Sequence, residues 1–528
     1  MPSSLPSHRI RNCLLASLLV PLVVMSGCIP RACVWWSPDG MIAAVAGVGA
    51  DGLRLMRPDG TLSDPILAGE VAGASWLSDG SGLVIARKIG LPTWQEAAAV
   101  LPQDEVGVID RIARAVPAVV RLAANPAVGD AIANESVRES DFNPAWIAGL
   151  AGLAGLVTPC VRDLHDDEFR AALRAAAGRG FGGEEDGDGK SSEQAFAEVW
   201  KEVQGMQVPV WELAFVPVAN GAVGGQVRPL MRTLRPLSCP AVSPRGEWVA
   251  VRAVAHMRNH FSEAFLEGNE KPATFPTRAA SAPHLLIALR LDGRSRIEVA
   301  KDVVSNPVWL SDGATLAFVT HAGGQGAAAM QVLERRTLTA SSASDTSVSE
   351  TARLALGLFP AGADGITLAA LPGDRLLFPA VQAALPARPD ATELLTRLFV
   401  VDASVGAASA PLAVPTPANA LPDDLGSFSV SPDGKQAAVV ESGSDAVAIV
   451  ELKTGHVEPI AVARKGWKCG MLPAWRNEEE LLIETLPADD AAQSAWGIWR
   501  RGDAIRWLGD SWSDEQRESL LRNRKDDR

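Results

Sequence analysis

Two imidazoles and a carboxylate are the residues best spaced for chemistry in this chain. In HMRNHFSE, His256 and His260 stand four residues apart, with Glu263 one turn further on. On a helix this spacing puts all three on one face, where they could ligate a metal ion. Met257 occupies the place of the glutamate in HExxH, so the run lacks that motif's general base. Solvated loop histidines are the simpler reading, so the expected cofactor is none, and a metal would have to sit on this triad. The stretch EEDGDGKSSEQA from Glu184 imitates a calcium loop, with Gly189 in sixth place. Its twelfth residue, however, is Ala195 where a bidentate glutamate is needed, which leaves a solvated acidic linker. The chain has no GxSxG and no Gly-rich phosphate loop between a strand and a helix. It also contains no tyrosine, which excludes a Tyr-based acid or nucleophile.

Cys28 is a candidate for covalent modification instead of catalysis. Residues 1–27 have the layout of an export signal: His8, Arg9 and Arg11 in a basic head, an apolar run from Cys13 to Met25, then Ser26 and Gly27. The run falls short of the ~20 residues that span a bilayer. Met25-Ser26-Gly27-Cys28 resembles the bacterial lipoprotein box, which implies cleavage before Cys28 and acylation of it. Residues 28–32 then form a tether, and the step from Ile29 to Cys33 covers under ~20 Å. Ile29 is not the aspartate that retains enteric lipoproteins in the inner membrane. The expected location is therefore a membrane-anchored lipoprotein at the periplasmic or outer-membrane surface. With 49 Lys plus Arg against 62 Asp plus Glu, the chain carries −13, and losing Arg9 and Arg11 makes that −13 − 2 = −15. This charge repels phosphate backbones, so nucleic acid is not an expected partner. Cys33, Cys160, Cys239 and Cys469 allow three full pairings in an oxidising compartment. Cys33 and Cys239 each lie five residues before a turn proline, Pro38 and Pro244, and are expected as buried unpaired thiols.

The elements that would position these groups come from a repeat. An apolar or Trp residue, a spacer, then Ser with Asp-Gly or a near variant, then alternating apolar residues recur in VWWSPDGMIAAVAG from Val34, ASWLSDGSGLVIAR from Ala74, PAVSPRGEWVAVRA from Pro240, PVWLSDGATLAFVT from Pro307 and FSVSPDGKQAAVVE from Phe428. Weaker copies start at Pro473 and Ile366. The turn pairs Asp39-Gly40, Asp79-Gly80, Asp312-Gly313 and Asp433-Gly434 are expected to supply the positive φ of tight hairpins. A second hairpin follows most copies, as in AVAIVELKTGHVEPI from Ala446. Two successive hairpins make one four-stranded sheet.

These turns and hairpins resemble the WD40-like repeats of the TolB-type β-propellers, over nearly all of residues 33–510. The resemblance implies an all-β fold, a single β-propeller, and the repeat count gives seven blades, with six as the alternative. From Trp36 to Trp76 is one repeat of about 40 residues, whereas Trp76 to Val242 is far longer. The excess, residues 90–208, reads as a mostly helical insertion within blade two. Ile109, Ile112, Ala113, Val116, Val119, Val120 and Ala123 follow the i, i+3, i+4 spacing of one apolar face, and SEQAFAEVWKEVQ from Ser192 gives another. AWIAGLAGLAGLV, with Gly149, Gly152 and Gly155 at intervals of three, is too short to cross a bilayer. It fits a helix buried within the insertion, or one that meets a partner. Residues 511–528 are expected as a helix or tail.

Propellers gather loops at one end, and function lies in those loops. The leading expectation is a non-enzymatic, lipid-anchored scaffold binding an envelope protein, a lipoprotein or an envelope polymer, with membrane contact through the lipid. One alternative is a periplasmic metal-dependent lyase or hydrolase with a site at the propeller channel, since some seven-bladed propellers are metal-dependent sugar lyases. The other is a glycan or small-molecule receptor.

Overall fold

The computed structural model describes residues 33–46, 52–107, 207–219, 221–254, 284–321, 331–340, 346–357, 359, 366–382, 395–404, 410–417, 421, 428–440, 446–461, 467–469, 473–487 and 495–508. Strands dominate them and helix is almost absent, as the repeat pattern predicts. Hydrogen bonding links them into six antiparallel sheets, one of them eight-stranded. The eight-stranded sheet consists of two four-stranded halves whose strand ladders are joined at the single pair Val303 and Thr320.

The packing units in chain order are as follows. Sheet I holds Cys33–Trp36, Ala43–Ala46 and Leu53–Met56. Sheet II holds Glu70–Trp76, Gly82–Leu91, Val208–Ala219 and Arg228–Thr233, with the short strand Ala222–Val223 also paired to Val208–Ala219. Sheet III holds Leu237–Val242, Trp248–Val254, His284–Arg290 and Arg296–Val303, and sheet IV Val308–Trp309, Thr315–His321, Gln331–Ala340 and Thr346–Gly357. Sheet V contains Ala369–Leu371, Arg375–Gln382, Leu395–Asp402 and Leu412–Ala413. Sheet VI contains Phe428–Val430, Gln436–Val440, Ala446–Glu451 and Val457–Ala461. In sheet VII, Trp467–Cys469 and Ala474–Trp475 both pair with Glu480–Pro487, followed by Ala495–Arg500 and Arg506–Trp507. Sheet I departs from the four-strand expectation. Its fourth element is reduced to the bridges Met56 to Leu62 and Leu53 to Leu67.

Both faces of the sheets are apolar, so each sheet must be covered on two sides. Leu53 and Leu55 of sheet I pack on Trp76 and Ile85 of sheet II, and Val84 and Leu213 of II on Val249 and Val251 of III. Trp248 and Leu286 meet Trp309 and Phe318 between III and IV, and Val319 and Leu333 meet Leu376 and Phe378 between IV and V. The series continues with Leu377 and Leu398 against Val439 and Val450, and Val447 and Ile449 against Leu481 and Trp499. It closes where Ala43, Val45 and Met56 of sheet I pack on Leu482, Trp496 and Ile498 of sheet VII. The sheets therefore follow one another face to face and return to the first, a propeller-like arrangement. Each such buried side chain contributes ~1.5–3 kcal/mol relative to exposure.

The turns after the first strands refine the expected hairpin chemistry. At Ser37–Gly40 only the glycine is left-handed, with φ 66°. Asp39 acts as an acceptor, its Oδ1 taking the Ser37 hydroxyl and the Met41 N–H. Gly313 and Gly434, both at φ 68°, repeat the pattern, and their aspartates Asp312 and Asp433 accept from Ala314 and Lys435 N–H. Asp79 likewise accepts from Ser81, ahead of Gly80. Positive φ at a carboxylate residue occurs at Asp374 of the divergent copy.

Candidate docking site at the root of the insertion

The strand Gly82–Leu91 runs in unbroken antiparallel register with Val208–Ala219, from Gly82 opposite Pro217 to Leu91 opposite Val208. Residues 92–207 thus leave and re-enter at one end of two adjacent strands of sheet II. The departing chain is helical at once. In the helix Trp94–Ala98, the Thr93 side chain accepts the Glu96 N–H as N-cap, and Trp94 and Ala97 are buried. Residues 103–107 are helical again and bring Glu105 down onto the sheet.

Glu105 is clamped from two sides. Its Oε1 accepts the Thr233 hydroxyl at 2.6 Å and its Oε2 accepts the Leu234 N–H at 2.8 Å, while Arg235 Nε lies 3.6 Å from Oε1. Burial pushes the Glu105 carboxyl above its ordinary value, against the opposing pull of Thr233, Leu234, Arg235 and Arg296. On the neighbouring strand, Glu212 is 1% exposed. It accepts from Arg87 Nε and Nη2 at 3.0 and 2.6 Å and from Arg232 Nε at 2.8 Å. All of its partners lie in register with it across neighbouring strands: Arg87 is opposite Glu212, and Glu212 opposite Arg232. A buried carboxylate between two arginines is costly to break, so the base of the insertion is rigid. These ion pairs and hydrogen bonds make it a fixed mount.

The turns after the innermost strands touch one another around one end of the ring. Ser78 donates to Pro244 O, Ser311 to Asp374 and Arg476 to Gly40 O. The connections between second and third strands must therefore emerge at the opposite end. Residues 92–207 leave there from sheet II, and residues 255–283 leave there from sheet III, where Val254 is paired with His284.

His256, His260 and Glu263 belong to that second connection and lie outside the described residues, as do Cys28, Cys160, residues 108–206 and residues 509–528. Among the described residues no group of three His, Cys, Asp or Glu is arranged to hold a metal, and no helix is long and apolar enough to cross a membrane. Cys33 is exposed, against the expectation of a buried thiol, because it sits at the open end of its strand; Cys239 is half-buried and Cys469 buried. Glu105, Glu212 and their arginines were not singled out from sequence. The available signal was Glu212 within the apolar strand VWELAFVPV, where a charge needs a partner in register.

No protein-family description and no curated protein matches the chain. Among solved structures it is similar to TolB from Acinetobacter baumannii, at 15% identity and TM-score 0.33, with 56% of this chain and 59% of that chain covered. It thus spans under two thirds of that protein. It is also similar to the β-propeller domain of Cps50 (Swd1) from Myceliophteria thermophila, at 10% identity and TM-score 0.40, over 89% of this chain and 96% of that one. A third likeness is to the acylaminoacyl peptidase of Pyrococcus horikoshii, at 9% identity and TM-score 0.42, over 89% of this chain and 50% of that one. The architecture described above stands on its own strand pairing and sheet packing.

Proposed function

We propose that this chain is a seven-bladed β-propeller, exported and lipid-anchored through Cys28, that acts as a non-enzymatic binding scaffold in the cell envelope. Each of sheets I–VII is one blade. The insertion of blade two is its docking arm, and the partner is an envelope protein or lipoprotein. The observation that carries this reading is the mount itself. A long excursion starts and ends on adjacent strands in unbroken register, and its first helical turns are fixed by Glu105 to Thr233 and Leu234. Such a base holds an arm at a constant angle to the ring, which a binding surface needs and a flexible linker does not supply. The seven apolar clusters, the last joining sheet VII to sheet I, support the blade count.

The test is in-cell crosslinking of the native lipoprotein beside a chain in which a short linker replaces residues 108–206, leaving the Glu105 clamp intact. A specific partner that is lost with the arm is the expected outcome. Capture that persists without the arm sinks the docking role. Stoichiometric metal in the purified protein, lost in His256→Ala and His260→Ala, would replace the scaffold with the lyase or hydrolase reading. A Cys28→Ser chain is expected to leave the membrane fraction.

A further inference from the structure

We propose that the end of the ring at which residues 92–207 and 255–283 leave lies against the lipid bilayer, with the turns that hold Asp39, Asp79, Asp312 and Asp433 facing away from it. The inference rests on the reading of Cys28 as the acylated residue, and adds which surface of the ring meets the lipid. Strand polarity decides the end. Cys33 stands opposite Ala46, and Trp36 opposite Ala43 beside the Ser37–Gly40 turn. The strand Cys33–Trp36 therefore runs toward the turn end. Cys33, which is exposed, enters the ring at the opposite end, where Leu91 meets Val208 and Val254 meets His284.

The length of the tether then excludes the turn end. From Cys28 to Cys33 the covalent path is under ~20 Å even when fully extended, and acyl chains on Cys28 hold that residue at the head groups. A strand such as Trp248–Val254, seven residues long, measures about 23 Å. Cys33 also lies on the first strand of sheet I, two strand spacings, about 10 Å, inside the strand Leu53–Met56. Laying the turns on the lipid takes a path across that width and down that height, on the order of 30 Å, which the tether cannot cover. Charge points the same way. Asp39 and Asp79 are exposed carboxylates of the turn end, and anionic head groups repel them. The base of the arm, set by Glu105 and Glu212, thus opens on the lipid side of the ring. A partner held by the arm is accordingly expected at the same membrane surface.

The test uses the natively acylated full chain in vesicles of phosphatidylethanolamine and phosphatidylglycerol that carry an energy acceptor on their head groups. A coumarin amino acid replaces one residue at a time. One position is His321, exposed at the tip of its strand on the lipid side; the other is Lys435, exposed beside the Asp433 turn. With about 20 Å of strand between the two ends, transfer to the lipid is expected to be at least about twofold greater from position 321 than from position 435. Equal transfer from both, as for a ring lying on its rim, overturns the orientation, and so does greater transfer from position 435. In either case an acylated amino-terminal peptide in the mass spectrum leaves the anchor standing. A chain whose amino-terminal peptide carries no acyl mass, and that stays off the vesicles, sinks the anchor and the orientation together.

Discussion

The interface between sheets III and IV and the closing seam between sheets VII and I are built from the same repeat position and end up held differently. In sheets II, IV and VII the residue before the turn is a tryptophan whose indole N–H reaches back to the preceding sheet. Trp76 bonds Trp35 O at 2.8 Å, Trp309 bonds Ala241 O at 2.8 Å and Trp475 bonds Ser429 O at 3.3 Å. Each acceptor is the residue one before the equivalent position of its own sheet. Trp36 occupies that position in sheet I, and the corresponding acceptor would be Ala474 O, yet Trp36 Nε1 is buried with no hydrogen-bond partner among the described residues. Arg476 does the work at the seam instead. Its guanidinium lies 5.8 Å from the Trp36 ring centroid, donates to Gly40 O at 2.8 Å and pairs with Glu480. Arg506 adds a bond to Pro58 O at 3.2 Å. At three internal interfaces one tryptophan of the repeat makes the bridge, whereas at the seam, which joins the two ends of the series, Arg476 and Arg506 make the hydrogen bonds.

The largest effect is expected from Trp309→Phe. The substitution leaves the Ala241 carbonyl without its donor and opens space in a closely packed cluster, for a loss of about 2–3 kcal/mol in urea unfolding. Arg476→Met follows, at about 1–2 kcal/mol, from one hydrogen bond and a cation–π contact; Glu480 keeps Arg500 as a partner at 3.1 Å. Its effect should be local, with faster amide exchange in residues 33–46 and 473–487 and little change in sheets III and IV. Trp36→Phe is expected to cost under about 1 kcal/mol, because no bond is lost and an unsatisfied buried donor is removed. If Trp36→Phe costs as much as Trp309→Phe, the contrast between seam and interior is wrong.

The interior half of this comparison was legible in the sequence and the seam was not. Trp76, Trp309 and their turns stand in near-identical copies, and a recurring turn with period-two alternation carries its own geometry. Arg476 sits in the degraded copy PAWRNEEE, where departure from the pattern reads as loss of signal, although that departure makes the seam. In the Asp-Gly pairs at 39–40, 79–80, 312–313 and 433–434 the aspartates accept N–H and hydroxyl groups, and the glycines take the positive φ. The mount of the insertion stayed hidden for another reason. Glu105 meets Thr233 across residues distant in sequence, and no local pattern encodes a contact that depends on where an excursion returns.

Acid separates the seam from the mount by sign. The Ser37 hydroxyl and the Met41 N–H hold the Asp39 carboxyl, in the seam's own turn, below its ordinary 3.8. Asp79 is held low chiefly by Ser81. For Asp312 burial pulls the other way and is outweighed by Thr315 and Ala314. A carboxyl with a depressed folded pKa contributes stability that is present above its unfolded value and is lost as pH falls through the folded one, so these turns weaken below about pH 3.8. Glu105 is the reverse case. Burial raises its folded pKa above the ordinary 4.5, so its contribution is full below that value and is lost as pH rises through the raised one. Acidification from neutral pH should therefore first raise the protection factors, which compare exchange with the intrinsic rate at each pH, at residues 94–107 and only later lower them at residues 37–42. Glu105→Gln should flatten the first limb and leave the second unchanged. Protection at residues 94–107 that falls steadily with acid would mean that the ionised carboxylate, and not its protonated form, holds the arm to the ring.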